Sequence, residues 1–412
     1  MASTTVSQQP YRTPKPFDRK RYPYPRFSDK EYQRRWNLTR DLMKRKGLDC
    51  LLVTGLNLGW DQGWSNIRYM TNYGGSLDNI AYVVVGLDGD LTICTWTSQI
   101  DRVARSVVDD IRCNTSNWVT AAGRIKELHA DKGNIGIVTP NWNLMLPYDQ
   151  MEYFKREFPQ AKFYVVFEDF MKDVRWVKSP EEIDWLNKAA HLGDLMQDEL
   201  VRRMKPGVTE HEIWGMVYDV LIRNGGEAGM ILMSTNNTFD SDSPDTRVRP
   251  LPRKLDKGYL LNIENGPMWN GYVAQTGKPV CIGQPSPEYK RMSEICIEAY
   301  KGVSSAIRVG NTEQDIRKGG QVVYDNGYIQ VGAPFLHGMH GGFPQDGPVV
   351  SYGGTSHNVF QPFSVKENTI WTVEISVASK DEMKGIFMAD TFLATSGAPK
   401  RLQKYEPQLF IA

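Results

Sequence analysis

Residues able to move protons or hold a cation are few in this chain, and several crowd into its last third. Two of its six histidines, His337 and His340, lie three apart in His337-Gly-Met-His-Gly-Gly. Imidazoles set among glycines suit proton transfer near neutral pH. Glu374 falls between Val373 and Ile375 in an apolar strand pattern. A carboxylate buried there needs a partner, and His340 is the first candidate. Glu264 and Gln275 flank Asn270-Gly271, a hairpin signal, so paired antiparallel strands can present both side chains to one face. Two readings stay open: an acid–base site, or a satisfied polar pair under a sheet with core histidines beside it. The run Asp240 to Asp245, DSDSPD, is either part of a site or a solvated loop. His129, His191 and His211 have charged neighbours in helical patterns and read as surface residues.

The elements that would position these groups follow from local signals. Ser28-Asp-Lys-Glu31 has capping-box spacing and predicts a helix to Lys46, stopped by Gly47. Leu51–Val53, Ile80–Val85, Leu91–Thr95 and Asn134–Val138 read as strands, with a short helix over Asp149–Phe158. Strands alternating with helices predict an α/β domain. Ser179-Pro180, with Glu182 following, predicts a second capping box opening a long amphipathic helix through Trp185, Leu186, Ala189, Leu192 and Met196.

An internal repeat follows. Gly207, Thr209, Glu210 and Ile213 recur as Gly310, Thr312, Glu313 and Ile316, and each copy runs to an Asn-Gly pair (Asn224-Gly225, Asn326-Gly327). Two similar αβ halves imply a pseudo-two-fold domain with a site between them.

Lys178-Ser179-x-x-Glu182-Ile183, the two glycine–x–threonine helix starts and the stretch from Leu260 to Gly283 together resemble the creatinase/aminopeptidase P/prolidase superfamily (M24, pita-bread). Asn66-Ile-Arg-Tyr-Met-Thr71 looks like part of the smaller domain of the same proteins. The resemblance implies an α+β architecture. A pita-bread domain with pseudo-two-fold αβ repeats, built on a six-strand curved sheet, would span residues 173–412. A smaller α/β creatinase-type domain would span 28–172, after an extended arm over 1–27 that either clasps a partner subunit or is a frayed tail.

Peptidases of the superfamily hold two metal ions with Asp, Asp, His, Glu and Glu. Carried over, these positions fall on Glu264, Gln275, His340, Glu374 and Ala389. An amide and a methyl group replace two anionic ligands, and two dications need about four carboxylates. The resemblance is therefore nearest to metal-free creatinase-like and ectoine-hydrolase-like branches. It implies a creatinase-like hydrolase that cleaves a non-peptide C–N bond of a small polar nitrogen compound without cofactor. Glu264, His340 and Glu374 would be catalytic, and Gln275, His337, Asp242, Arg68 and Tyr272 would bind substrate. Two alternatives accompany it: a Xaa-Pro peptidase-like hydrolase or lyase with one divalent ion on Glu264, His340, Glu374 and Asp390, and a non-catalytic peptide binder.

Composition bounds the rest. Hydrophobic residues are 41% and charged residues 24%, the balance of a globular protein. A net charge of +1 argues against a nucleic-acid partner. No secretory leader or apolar run of membrane-spanning length is visible. Five scattered cysteines read as reduced thiols. The expectation is a cytoplasmic homodimer acting on a small molecule, away from membranes.

Overall fold

The computed structural model describes residues 11–15, 18–56, 63–74, 80–97, 99–139, 146–241, 249–339, 347–351 and 362–412. The chain divides into two compact units, residues 1–175 and 176–412.

In the first unit the capping signals act as read. Ser28 Oγ accepts from Glu31 N, the helix runs Asp29–Lys46, and Gly47 closes it at φ 64°. Strands β1 (Cys50–Leu56), β2 (Ile80–Gly86), β3 (Thr92–Thr95), β4 (Asp110–Cys113), β5 (Asn134–Val138) and β6 (Lys162–Val165) form a mixed sheet in the order β4-β3-β2-β1-β5-β6. Its face packs Leu52, Tyr82, Val84 and Ile135 against Ala121, Ile125 and Phe154 of the helices Asn117–Glu127 and Tyr148–Glu157. The described part of the N-terminal arm belongs to its own unit. Arg12 and Cys113 exchange backbone hydrogen bonds at 3.0 and 2.9 Å, and Tyr11 lies under the Arg112 guanidinium. The arm thus covers a sheet edge that would otherwise expose unpaired N–H and C=O groups.

The second unit is built twice over. In the first half, helices Pro180–Arg203 and Glu210–Arg223, each with a complete capping box, pack on β7 (Glu227–Asn237) and β8 (Tyr259–Trp269). Leu192, Met196, Ile213, Val217, Leu261 and Ile263 form the core between them. Strands β9 (Tyr272–Val273) and β10 (Val280–Cys281) pair with β8. The second half begins with helix Pro287–Ser305, followed by Glu313–Gly320, whose cap pairs Thr312 with Asp315. Its sheet holds β11 (Leu336–Met339), β12 (Val349–Val350), β13 (Ile370–Ala378), β14 (Gly385–Leu393) and β15 (Lys400–Arg401), while β16 (Phe410–Ile411) returns to pair with β10. Gly207 and Gly310 open the two repeats at φ 97° and 91°, which explains their recurrence. The second repeat helix breaks after Gly320 and resumes as Val322–Asp325, which ends at Asn326. Here Gly319 presses on Gly302 so closely that an added Cβ would lie 2.4 Å from it.

Among the described residues the strands of this unit fall into two five-stranded sheets, joined where the resemblance implied one curved sheet. They meet at a seam where Gly277 and Ala389 exchange backbone hydrogen bonds of 2.9 and 2.8 Å. Asn262 spans the same seam, donating to Gly385 O and accepting from Phe387 N. A Cβ on Gly277 would lie 2.0 Å from Ile263 O, so the seam requires glycine. Together the halves form the pita-bread fold, an α+β architecture. Among the described residues no helix is long and apolar enough to cross a membrane.

Candidate functional site

Glu264 reaches the site because β8 alternates. Leu261 and Ile263 face the helices, so Asn262 and Glu264 face the other way, toward the second sheet. Asn270 (φ 43°) and Gly271 (φ 85°) then turn the chain back in the left-handed conformations a tight hairpin needs. That return brings Gln275 alongside, and its carbonyl is fastened by Thr391 Oγ1 at 2.9 Å. Glu374 sits mid-β13, its cross-strand partner on β14 being Ala389. On β11, His337 pairs with Thr372, which shares a face with Glu374 two residues on.

The side chains converge on one amide. Gln275 Nε2 donates to Glu264 Oε1 at 2.6 Å and also to Glu374 Oε1. His337 Nε2 lies 3.6 Å from Glu374 Oε1. Exposure is 6% for Glu264, 1% for Glu374 and zero for Gln275 and His337, so their charge is compensated by neighbours rather than by water. Two atoms stay uncommitted: among the described residues, Gln275 Oε1 and His337 Nε2 are buried without a hydrogen-bond partner. Two carboxylates, an amide oxygen and an imidazole nitrogen are the donor types of a divalent-cation site.

Two further residues take other roles than expected. Asp390 faces away, because Ala389 holds the inward position beside Glu374 and neighbours alternate. It accepts from Lys278 Nζ at 2.5 Å, Thr276 Oγ1 at 2.9 Å and the Tyr300 hydroxyl, a closed buried ion pair rather than a cation ligand. Burial, reinforced by the Asp390 charge, pushes the Tyr300 pKa far up and keeps that phenol a donor. Tyr272 is likewise engaged elsewhere: its hydroxyl donates to Glu182 Oε1 at 2.9 Å and its ring packs edge-on against Trp185. Arg68 belongs to the first unit, 7% exposed in helix Ser65–Thr71, with Gly74 pressed against its side chain. His340 and Asp242 lie outside the described residues. His129, His191 and His211 are exposed.

His340, expected as the partner of Glu374, lies outside the described residues, and spacing alone did not show how near His337 comes to Glu374 or that Lys278, Asp390 and Tyr300 cluster. Strand parity carried both: once 374 and 389 share a face, 390 must turn outward.

These donors fit one divalent ion and not two. Two carboxylates offset one dication, while Ala389 contributes no donor to a second. Among the described residues no three His, Cys, Asp or Glu side chains converge as a ready metal site, so a third donor of that kind has to come from another segment.

Comparison with known proteins gives the frame. The model for metallopeptidase family M24 matches residues 184–396, and that for the creatinase/prolidase N-terminal domain matches residues 35–177. A Xaa-Pro dipeptidase of Pyrococcus furiosus is 25% identical over 274 residues, 64% of this chain and 73% of that one. A Pyrococcus horikoshii Xaa-Pro dipeptidase is 24% identical over 268 residues, 64% of this chain and 72% of its own. Among solved structures, the X-Pro aminopeptidase of Thermotoga maritima superposes with a TM-score of 0.77 at 17% identity, covering 92% of this chain and 99% of that one. Prolidase from Pyrococcus furiosus gives 0.70 at 21% identity, covering 89% and 99%.

These relatives overturn the first functional expectation. They are named for cleaving Xaa-Pro peptide bonds within a metallopeptidase family, so a metal-independent creatinase-like enzyme for a non-peptide C–N bond is not the reading they favour. The expectation of no cofactor falls with it, and the one-ion alternative is the better match. From residue 184 to 396 the chain matches the M24 model and folds as that family does, so it belongs to metallopeptidase family M24.

Proposed function

We propose that this chain hydrolyses small peptides of the Xaa-Pro type at the Glu264–Gln275–Glu374 cluster, with one divalent ion. The observation that carries the reading is the pair of buried carboxylates brought from two facing sheets onto one amide, with unused amide and imidazole donors beside them. Glu264 and Glu374 would hold the ion, joined by His340 on its sequence position. Bound there, a divalent ion supplies Lewis acidity toward a peptide carbonyl and toward water.

The chain's own groups do the remaining work. Glu264 takes one proton of the attacking water and returns it to the proline nitrogen as the C–N bond breaks, and the second proton passes from the new carboxylic acid to the freed amine, leaving a carboxylate and a protonated secondary amine. His337 Nε2, 3.6 Å from Glu374 Oε1 and without a hydrogen bond to it, stays available as a further donor beside the carboxylates. The closed Lys278–Asp390 pair on the far face of β14 holds the strand that carries Ala389. The surroundings proposed are those of a cytoplasmic homodimer with no membrane or nucleic-acid partner.

The test is hydrolysis of a panel of Xaa-Pro dipeptides by chelated protein resupplied with Mn²⁺, Co²⁺ or Zn²⁺. Proline release that depends on the ion and disappears in Glu264→Gln supports the reading. Tight binding of a proline peptide without turnover, under every ion, replaces it with the non-catalytic binder.

A further inference from the structure

The Gln275 amide has two ends of opposite chemistry, and only one is used. Both N–H bonds of Nε2 are spent, one on Glu264 and one on Glu374. Among the described residues, Oε1 is buried with no hydrogen-bond partner. An orphaned acceptor is costly, and the amide would gain a partner for it by pointing that end at a donor. It does not, because Nε2 is what separates two buried carboxylates that would otherwise repel each other. A cation bridging Glu264 and Glu374 has to occupy the volume those two N–H bonds now fill.

We infer that Gln275 is a built-in plug for the ion site: its amide clamps both carboxylates in the ion-free chain and turns over, offering Oε1, when an ion enters. The inference rests on the one-ion reading and adds to it the residue that gates the ion. Turning over needs only the terminal amide torsion, which is broad and soft. Two consequences follow. Chelation leaves the fold intact, because the plug takes over the separation of the carboxylates. The affinity for an ion is modest, because binding must first break two charge-assisted hydrogen bonds. Ala389, opposite Glu374, keeps the count at one.

The experiment uses the full chain, freed of metal by chelator. Mn²⁺ is titrated by calorimetry, and melting is followed with and without it. Wild type takes up one ion, and its chelated form stays folded, melting below the Mn²⁺-loaded form by no more than the measured affinity supplies. Gln275→Glu keeps the length and removes the N–H donors. Its chelated form melts below wild type, Mn²⁺ restores it, and its affinity is higher by at least about tenfold. Melting and affinity equal to wild type overturn the inference, as does a wild type that binds no Mn²⁺ or unfolds on chelation. If Gln275→Glu does not fold, wild type labelled with ¹⁵N-glutamine still decides. The side-chain amide signal lost in Gln275→Met is followed during titration with diamagnetic Zn²⁺. Movement of that signal as the ion saturates supports the plug, and a signal that stays in place overturns it. Neither readout uses turnover. A chain that shows the exchange but cleaves no Xaa-Pro dipeptide therefore sinks the peptidase reading and leaves this inference standing.

Discussion

Two clusters of buried carboxylate lie on opposite faces of the sheets at the same seam, and they are built on opposite rules. On one face Asp390 has an ammonium, a hydroxyl and a phenol around it, each within hydrogen-bonding reach. On the other, Glu264 and Glu374 both accept from one neutral amide, with an imidazole near Glu374 and, among the described residues, an amide oxygen left over. The first cluster is complete and asks for nothing more. The second carries two acidic groups with unused donors beside them, which is how a site that expects a ligand differs from a structural ion pair. The same seam also shows why residues one position apart have different fates: parity places Ala389 and Asp390 on different faces.

The comparison can be broken most severely at the open cluster. Glu264→Gln is expected to lower kcat/KM toward a Xaa-Pro dipeptide by about 10²- to 10⁴-fold while the melting temperature is retained. A large loss of stability with unchanged specific activity would move Glu264 to the structural side. At the closed cluster the expected loss is of stability. Lys278→Met leaves Asp390 buried without its cation and should cost about 3–5 kcal/mol in denaturant unfolding, most of which returns when Asp390→Leu is added. Unchanged stability in the single variant would show that the pair is not the brace the comparison makes it. At the seam between the clusters, Gly277→Ala drives a Cβ into Ile263 O and should cost about 1–3 kcal/mol, measured the same way.

The smallest effect sharpens the contrast from the other unit. Glu31, 4% exposed, is another closed carboxylate, bound by Arg34 at 2.8 Å and Arg35 at 2.7 Å. Burial pulls its pKa up, but hydrogen bonds and charge from Arg34 and Arg35 outweigh it, and the carboxyl ends below its usual 4.5. A folded-state pKa below the unfolded one means stability that is present above about pH 4.5 and lost as pH falls through the folded value. Glu31→Gln is therefore expected to cost about 1–3 kcal/mol at neutral pH, with the gap to wild type closing in acid. A gap that stays constant from pH 7 to pH 3 would remove charge as its cause.

Much of the scaffold was legible before any coordinates. Ser28, Ser179, Thr209 and Thr312 cap helices where their spacing predicts, because a cap needs only a side chain and a backbone N–H three residues away. The repeat glycines recur because both loops need a positive φ. The site was legible in part. Glu264, Gln275 and Glu374 do meet, and His337 stands beside Glu374, while His340 lies outside the described residues; Asp390 and Tyr272, expected at the site, are engaged elsewhere. Those errors share a cause: a family position names a residue, whereas strand register decides which face it occupies.

The sequence by itself determined the family, the duplicated αβ plan and the loss of two anionic ligands, since each of these is a matter of residue type at a given spacing. Only the tertiary structure decided that the amide replacing one of those ligands stands between the two surviving carboxylates with its oxygen unused. Hydrogen bonds across a seam join residues 99 positions or more apart, and their geometry depends on how two sheets meet rather than on any local pattern.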